Sequence, residues 1–576
     1  MAMMQKIIFV GISSLLLVAV ILGVVAGVMR STTNQIEVPS KHKIRINAVS
    51  KSVGSLCQVT DYKEECVETL SSASTDQKTA DPKECIVATI KKTFTAFTDA
   101  LKHSKNMGQA TTLDNMNKEA LSDCNELLEY GIGELQDAIE SSEKGGADNI
   151  NMRAQDLKNW LSAAISYEEI CIDGLTNPEL RSNMTKSLEK SQEFTKNALA
   201  ITTEITKLVD TMKGAMNMTK DLFAGDHKKE GRRLLNSGRY PKWLSAADRK
   251  LLRATESGKV KPNVVVAKDG SGNYKTIQQA VDSVPEKKEE RFIIYVKAGV
   301  YYENVIISKK KLNVFMYGDG ARKTAVSGNK NYVDGTPTFR TATFAAIGNG
   351  FICKSMGFRN TAGAKKHQAV ALRVQSDMSA FFNCRMDAHQ DTLYVQTHRQ
   401  FYRNCVISGT VDFIFGMSAV VIQNCLIIVR KPMDNQKNMV TASGRSYKYE
   451  DTGIVIHNCR VVPDRFLAPV RNKIKSYLGR PWKQYARTVF MESRIGDLIQ
   501  PEGWLEWDGD FALKTLYYAE YKNTGIGANT SKRVKWPGYH VIKNRAEALK
   551  FTVGSFIQGN SWIKYSGIPF IIGLRR

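Results

Sequence analysis

The chain has 576 residues and the composition of a globular protein, too long for one ordinary hydrophobic core, so two or more domains and their connections are expected. Its formal net charge of +24 is uneven: residues 51–225 carry 19 basic and 28 acidic side chains, whereas residues 262–576 carry 46 and 24. An acidic region therefore precedes a cationic one, whose long-range field suits nucleic acid, anionic lipid or an acidic polysaccharide without choosing among them.

In chain order, residues 7–29 come first, an uncharged apolar run behind Lys6. It is longer than the hydrophobic stretch of an ordinary cleaved signal and nearly a membrane span. Cleaved signal and signal-anchor both remain open over residues 1–30, and either delivers the chain to the secretory pathway. That route argues against a nucleic-acid partner and permits disulfides among the ten cysteines. Asn183, Asn217 and Asn529 open N-x-S/T sequons and are glycosylation candidates.

Residues 45–215 read as a helical bundle. Leu128, Ile132, Leu135 and Ile139 recur at spacings of three and four, as do Phe194, Ala198, Ile201, Ile205 and Leu208. Residues 226–261 are polar, strongly basic and broken by Gly and Pro, which marks an exposed linker open to proteases. From 262 to 565 the texture changes to short β-branched and aromatic runs, such as RFIIYV and AVVIQNCLIIV, separated by glycines.

This strand-rich region repeats internally. Asn360, Asn383, Asn404, Asn424 and Asn458 close similar short motifs at spacings of 23, 21, 20 and 34 residues. A period near twenty, with short strands and a turn in each repeat, predicts a parallel β-solenoid with an asparagine ladder through Asn383, Asn404 and Asn424. Cys384, Cys405 and Cys425 follow those asparagines, so stacking brings at least one pair near bridging distance, and Cys405 with Cys425 is the expected disulfide. The alternative is a set of small buried side chains at turns.

The same period places polar residues together. Gln368 lies 22 residues before Gln390, and Asp391 lies 21 before Asp412. Strands about 4.8 Å apart put the two carboxyls on one face and within each other's field. Such a pair supplies one proton donor and one anion, a division suited to ester hydrolysis.

These residues carry a resemblance. GVYYENV at 299–305, HQAVALRV at 367–374, QDTLYV at 390–395, VDFIFG at 411–416 and YLGRPW at 477–482 resemble the plant pectin methylesterase (pectinesterase) family over residues 262–560. The resemblance implies a mainly β chain with a right-handed parallel β-helix as catalytic domain. It implies Asp412 as nucleophile on the methyl-ester carbonyl and Asp391 as proton donor to methanol and then base toward water. Gln368 and Gln390 would stabilise the oxyanion, and Arg480 would orient Asp412. Trp482 would line the pectin groove, with Thr338, Phe339, Tyr394 and Trp504 as further substrate-binding candidates.

The N-terminal bundle resembles the pectin methylesterase inhibitor family, an all-α four-helix fold. That resemblance implies disulfides Cys57–Cys66 and Cys124–Cys171, with Cys85 left over. It further implies an intramolecular contact in which the acidic pro-domain covers the basic groove. In the linker, Arg232-Arg233-Leu234-Leu235 and Arg249-Lys250-Leu251-Leu252 resemble sites cut by subtilisin-like processing proteases.

The expected product is a monomeric, secreted esterase of the plant cell wall. The scheme needs no cofactor or metal, and His367, His389 and His398 lack ligand spacing. Two rival readings are a pectin-cleaving glycosidase or lyase on the same fold, and a non-catalytic protein that binds pectin through its charge.

Overall fold

The computed structural model describes residues 53–73, 81–108, 113–143, 147–223 and 261–575. The apolar run at 7–29 and both basic processing motifs lie outside the described residues, as does the side chain of Asn217.

Four long helices, Pro82–Met107, Asn115–Glu143, Ala147–Gly174 and Pro178–Phe223, form the bundle, preceded by the shorter Val53–Cys57 and Lys63–Ala73. The start of the first is set chemically: Asp81 accepts a hydrogen bond from the Lys83 N–H at 2.8 Å, and Pro82 takes the position where a missing N–H costs nothing. Apolar side chains at helical spacing then face inward, among them Leu121, Cys124, Leu128 and Leu135 on one helix and Ala198, Ile201 and Ile205 on another. Disulfides join Cys57 to Cys66 and Cys124 to Cys171, while Cys85 is free and buried.

Beyond residue 261 the chain winds through three parallel sheets of eleven, eight and seven strands. Parallel neighbours one coil apart require a helical winding, and the twist of L-residue strands makes it right-handed. Leu372 pairs with Leu393 and Leu393 with Ile414, so the 21-residue period is the hydrogen-bonding register. These three side chains are fully buried inside the coil. The next residues along, Arg373, Tyr394, Phe415, Ala442 and Arg480, form a row on the opposite, outer face of the seven-stranded sheet. C-terminal helices Arg545–Leu549 and Val553–Phe556 cover the outer face of the eleven-stranded sheet, packing with Phe401, Val421 and Val489.

Asn383, Asn404, Asn424 and Asn458 adopt φ values of 54°, 52°, 59° and 52°, the left-handed bend that asparagine tolerates better than most residues. The Asn424 amide donates to Asn404 Oδ1 at 2.6 Å, and the Asn458 amide to Asn424 Oδ1 at 2.9 Å. Asn360 is not a rung. Phe382 pairs with Lys354, so the equivalent bend of that coil falls on Ser355.

The expected Cys405–Cys425 disulfide is corrected, since both thiols are free and buried. The Cys405 N–H instead donates to Cys425 Sγ at 3.2 Å, the Cys425 N–H to Cys459 Sγ at 3.3 Å, and the Cys459 N–H to Ser493 Oγ at 2.9 Å. After each bend the backbone N–H meets the side chain of the next coil, and a small acceptor there satisfies it. The ladder uses these sulfurs singly.

Candidate active site

Three successive coils build the centre. Gln368 and Gln390 form a parallel bridge across the first two, with the Ala369 N–H donating to the Gln390 carbonyl at 3.3 Å. Asp391 and Asp412 each stand two residues before paired strand positions, Leu393 and Ile414, and the Asp391 N–H donates to the Val411 carbonyl at 3.1 Å. The two acids are therefore one coil apart, about 4.8 Å by strand spacing. Both bend left-handed, with φ of 62° and 49°, which breaks each strand just before it begins. Gly409 permits the close packing behind them, since a Cβ there would sit 2.3 Å from the Phe413 Cβ.

Both carboxyls are buried. Arg480 grips Asp412 with two nitrogens, Nε at 3.0 Å from Oδ1 and NH2 at 2.6 Å from Oδ2. Asp391 has no such bond. Burial raises Asp391 well above the usual carboxylate range, and the charge of Asp412 adds to that against a weaker pull from Arg480. Burial also raises Asp412, but its direct contact with the guanidinium opposes the shift. The pair therefore holds its proton on Asp391 and its charge on Asp412.

The acids open into a cavity of about 430 Å³ lined also by Gln368, Gln390, Thr338, Phe339 and Trp482. Tyr394 stacks on Phe415 at 4.3 Å, and Phe415 lies 6.0 Å from Trp482, so the floor is aromatic. Trp504 does not belong to it. It is 1% exposed and stacks on Tyr518 inside the coil at 4.2 Å, which makes it a core residue. Trp507, three residues on, lines the cavity instead and lies 4.2 Å from the Arg480 guanidinium. Sequence reasoning also missed Arg373, buried on the same outer row with its guanidinium 3.6 Å from the Phe339 ring.

The other wall belongs to the bundle, through Met116, Asp123, Ile170, Asp173 and Arg181. Acids of the bundle meet bases of the β-helix on both sides of the centre. Asp123 pairs with Arg340 at 2.5 Å, and Glu169 and Asp173 both pair with Lys483 at 2.8 and 2.9 Å. Glu134, 1% exposed, accepts from Lys309 at 2.5 Å and lies 3.2 Å from His398 Nε2. Asn159 reaches His398 Nδ1 at 3.0 Å. Phe339, Tyr394 and Phe415 join the apolar cluster of the bundle, so their aromatic surface is covered.

His367 is exposed and His389 is half-buried. Among the described residues, no group of three or more His, Cys, Asp or Glu is placed to hold a metal. Asn183 and Asn529 are exposed.

An anion beside a neutral acid, with two amides alongside, is an arrangement for attack on a carbonyl and protonation of its leaving oxygen. The pectinesterase family matches residues 263–560, and the plant invertase/pectin methylesterase inhibitor family matches residues 51–201. The chain is similar to pectinesterase/pectinesterase inhibitor U1 of Solanum lycopersicum, 42% identical over 99% of this chain and 97% of that protein. It is also similar to pectinesterase 3 of Citrus sinensis, at 44% identity over 90% of this chain and 88% of that one. Among solved structures, pectin methylesterase from carrot is 55% identical with a TM-score of 0.55, covering 55% of this chain and 99% of its own. With matches spanning both halves, the chain belongs to the pectinesterase family and carries an inhibitor-family domain ahead of the esterase domain.

Proposed function

We propose that the chain hydrolyses methyl esters of pectin in the plant cell wall, releasing methanol and leaving galacturonate carboxylates. The observation that carries this reading is the unequal bonding of two adjacent buried acids, since Arg480 grips Asp412 and not Asp391. Asp412 attacks the ester carbon, and the oxyanion that forms is met by the amides of Gln368 and Gln390. The C–O bond to methanol then breaks as Asp391 gives its proton to the leaving oxygen. Asp391, now an anion, takes a proton from water, whose oxygen attacks the acyl carbon and frees Asp412. Trp482 and Trp507 offer flat faces to sugar rings.

The uncut chain is held inactive by its own bundle, whose acids engage Arg340, Lys483 and Lys309 around the cavity. A subtilisin-like protease cutting at Arg232–Leu235 or Arg249–Leu252 would free a monomeric, secreted esterase. The test is methanol release from methyl-esterified pectin by the full chain and by residues 262–576, with new reducing ends and unsaturated ends measured in parallel. Methanol without new chain ends, faster from the shorter protein, is expected. Chain cleavage without methanol would overturn the esterase reading, and equal rates would overturn the inhibition.

A further inference from the structure

The outer face of the eight-stranded sheet carries a second trench that the chemistry above does not use. It encloses about 660 Å³ between Arg359, Arg385, Arg430 and Arg465, with His389 along its wall. Parallel register stacks it: Arg359 pairs with Asp387, and Asp387 with Ser408, one coil per step. Alternation along the strand puts Arg385 on the same side as Asp387.

The acids of this trench are already engaged. Asp387 accepts from Arg385 at 2.5 Å and from Ser408 Oγ at 2.6 Å, and Asp464 caps a turn by accepting the Phe466 and Leu467 N–H groups. The bases are less so. Arg359 and Arg465 have no ion pair among the described residues, and His389 Nδ1 is buried without a hydrogen-bond partner. Arg465 lies 4.5 Å from the ring centroid of Phe466, which is 59% exposed. Free guanidinium forks beside an exposed aromatic face fit a polymer that carries a carboxylate on each sugar ring. Among the described residues, none of the bundle lines this trench, whereas Met116, Asp123, Ile170, Asp173 and Arg181 line the catalytic cavity, which is built along the seven-stranded sheet.

We infer that this trench is a second, non-catalytic binding site for de-esterified galacturonan, open even while the bundle caps the catalytic cavity. The identity of the ligand rests on the esterase reading, because the polymer is that reaction's product. The uncut chain then anchors to demethylated wall before it is activated.

The experiment is binding of the full chain to immobilised methyl-free polygalacturonate at physiological salt. Arg359→Glu with Arg465→Glu should weaken binding about tenfold, by loss of two charge-assisted contacts. Phe466→Ala, which leaves the charge alone, should weaken it about threefold. Lys543→Glu with Lys550→Glu removes the same charge from exposed positions elsewhere and should change binding less than about twofold. Equal weakening by both double variants would assign binding to the general field and overturn the site, as would no weakening by either. The Phe466 variant keeps the test valid if a charge reversal fails to fold. Methanol release is read separately with Asp412→Ala, which leaves the trench intact, so either reading can fail alone.

Discussion

Removing Glu134 should release the bundle from the esterase domain. Its carboxylate is 1% exposed, between Lys309 at 25% and His398 at 0% side-chain exposure. Burial pushes Glu134 up, but Lys309 and His398 outweigh it and hold the carboxyl at about 2, so it stays charged from about pH 4 upward. Glu134→Ala leaves the half-buried Lys309 ammonium and the buried His398 ring without their partner, which costs up to about 3–5 kcal/mol. At 1.4 kcal/mol per tenfold, docking weakens by up to roughly 10²–10⁴. The Lys448–Asp61 pair crosses the same interface at 37% and 42% exposure, and a pair so exposed is worth about 0–1 kcal/mol, under about fivefold. The assay adds the separate bundle, residues 49–225, to residues 262–576 and measures inhibition of methanol release. A Glu134→Ala effect no larger than that of Lys448→Ala would refute the claim that burial decides which contact holds the bundle.

Docking should also depend on pH through Asp123, which burial raises to about 7 against the pull of Arg340. A group raised on docking contributes fully below its free value of about 3.9 and loses that contribution as pH rises through about 7. Inhibition by the bundle should therefore be tighter at pH 5 than at pH 8, and Asp123→Asn should flatten the difference. Asp391→Asn should lower turnover about 10²–10⁴-fold. Because burial raises Asp391, the wild type loses stability as pH rises through that group's folded value, so calorimetry should show Asp391→Asn melting higher at pH 8 with a gap that closes toward pH 4. Arg480→Lys replaces a two-nitrogen grip with a single point charge, so the acid limb of the pH–rate profile should move upward by roughly one unit. Trp504→Ala should cost about 3–5 kcal/mol of stability by denaturant melt, whereas Trp507→Ala should raise KM with little change in melting.

What was legible in the sequence was whatever repeats. The 21-residue step from Asp391 to Asp412 is also the register step from Leu393 to Ile414, so spacing alone brought the acids together. Composition likewise separated helical from strand-rich regions. The errors come where local pattern does not report direction. Cys405 and Cys425 have the right period for a bridge, but each sulfur serves a backbone N–H of the neighbouring coil. Asn360 shares a motif with Asn383 yet ends a strand, whereas Asn383 makes a bend. Trp504 and Trp507 lie in one loop, and only packing reveals which points into the core. Glu134 and His398 are 264 residues apart and carry no shared periodicity, so their meeting follows only from the docking of two folded domains.

Everything proposed for the reaction depends on which of the two stacked acids keeps its proton. Carboxyl carbon NMR of the full chain, titrated with pH and assigned through Asp391→Asn and Asp412→Asn, reads this directly. The pair should titrate in two steps, Asp412 losing its proton first and Asp391 well above the ordinary range. Two carboxyls both titrating near about 3.9, or Asp412 holding the later proton, would contradict the account.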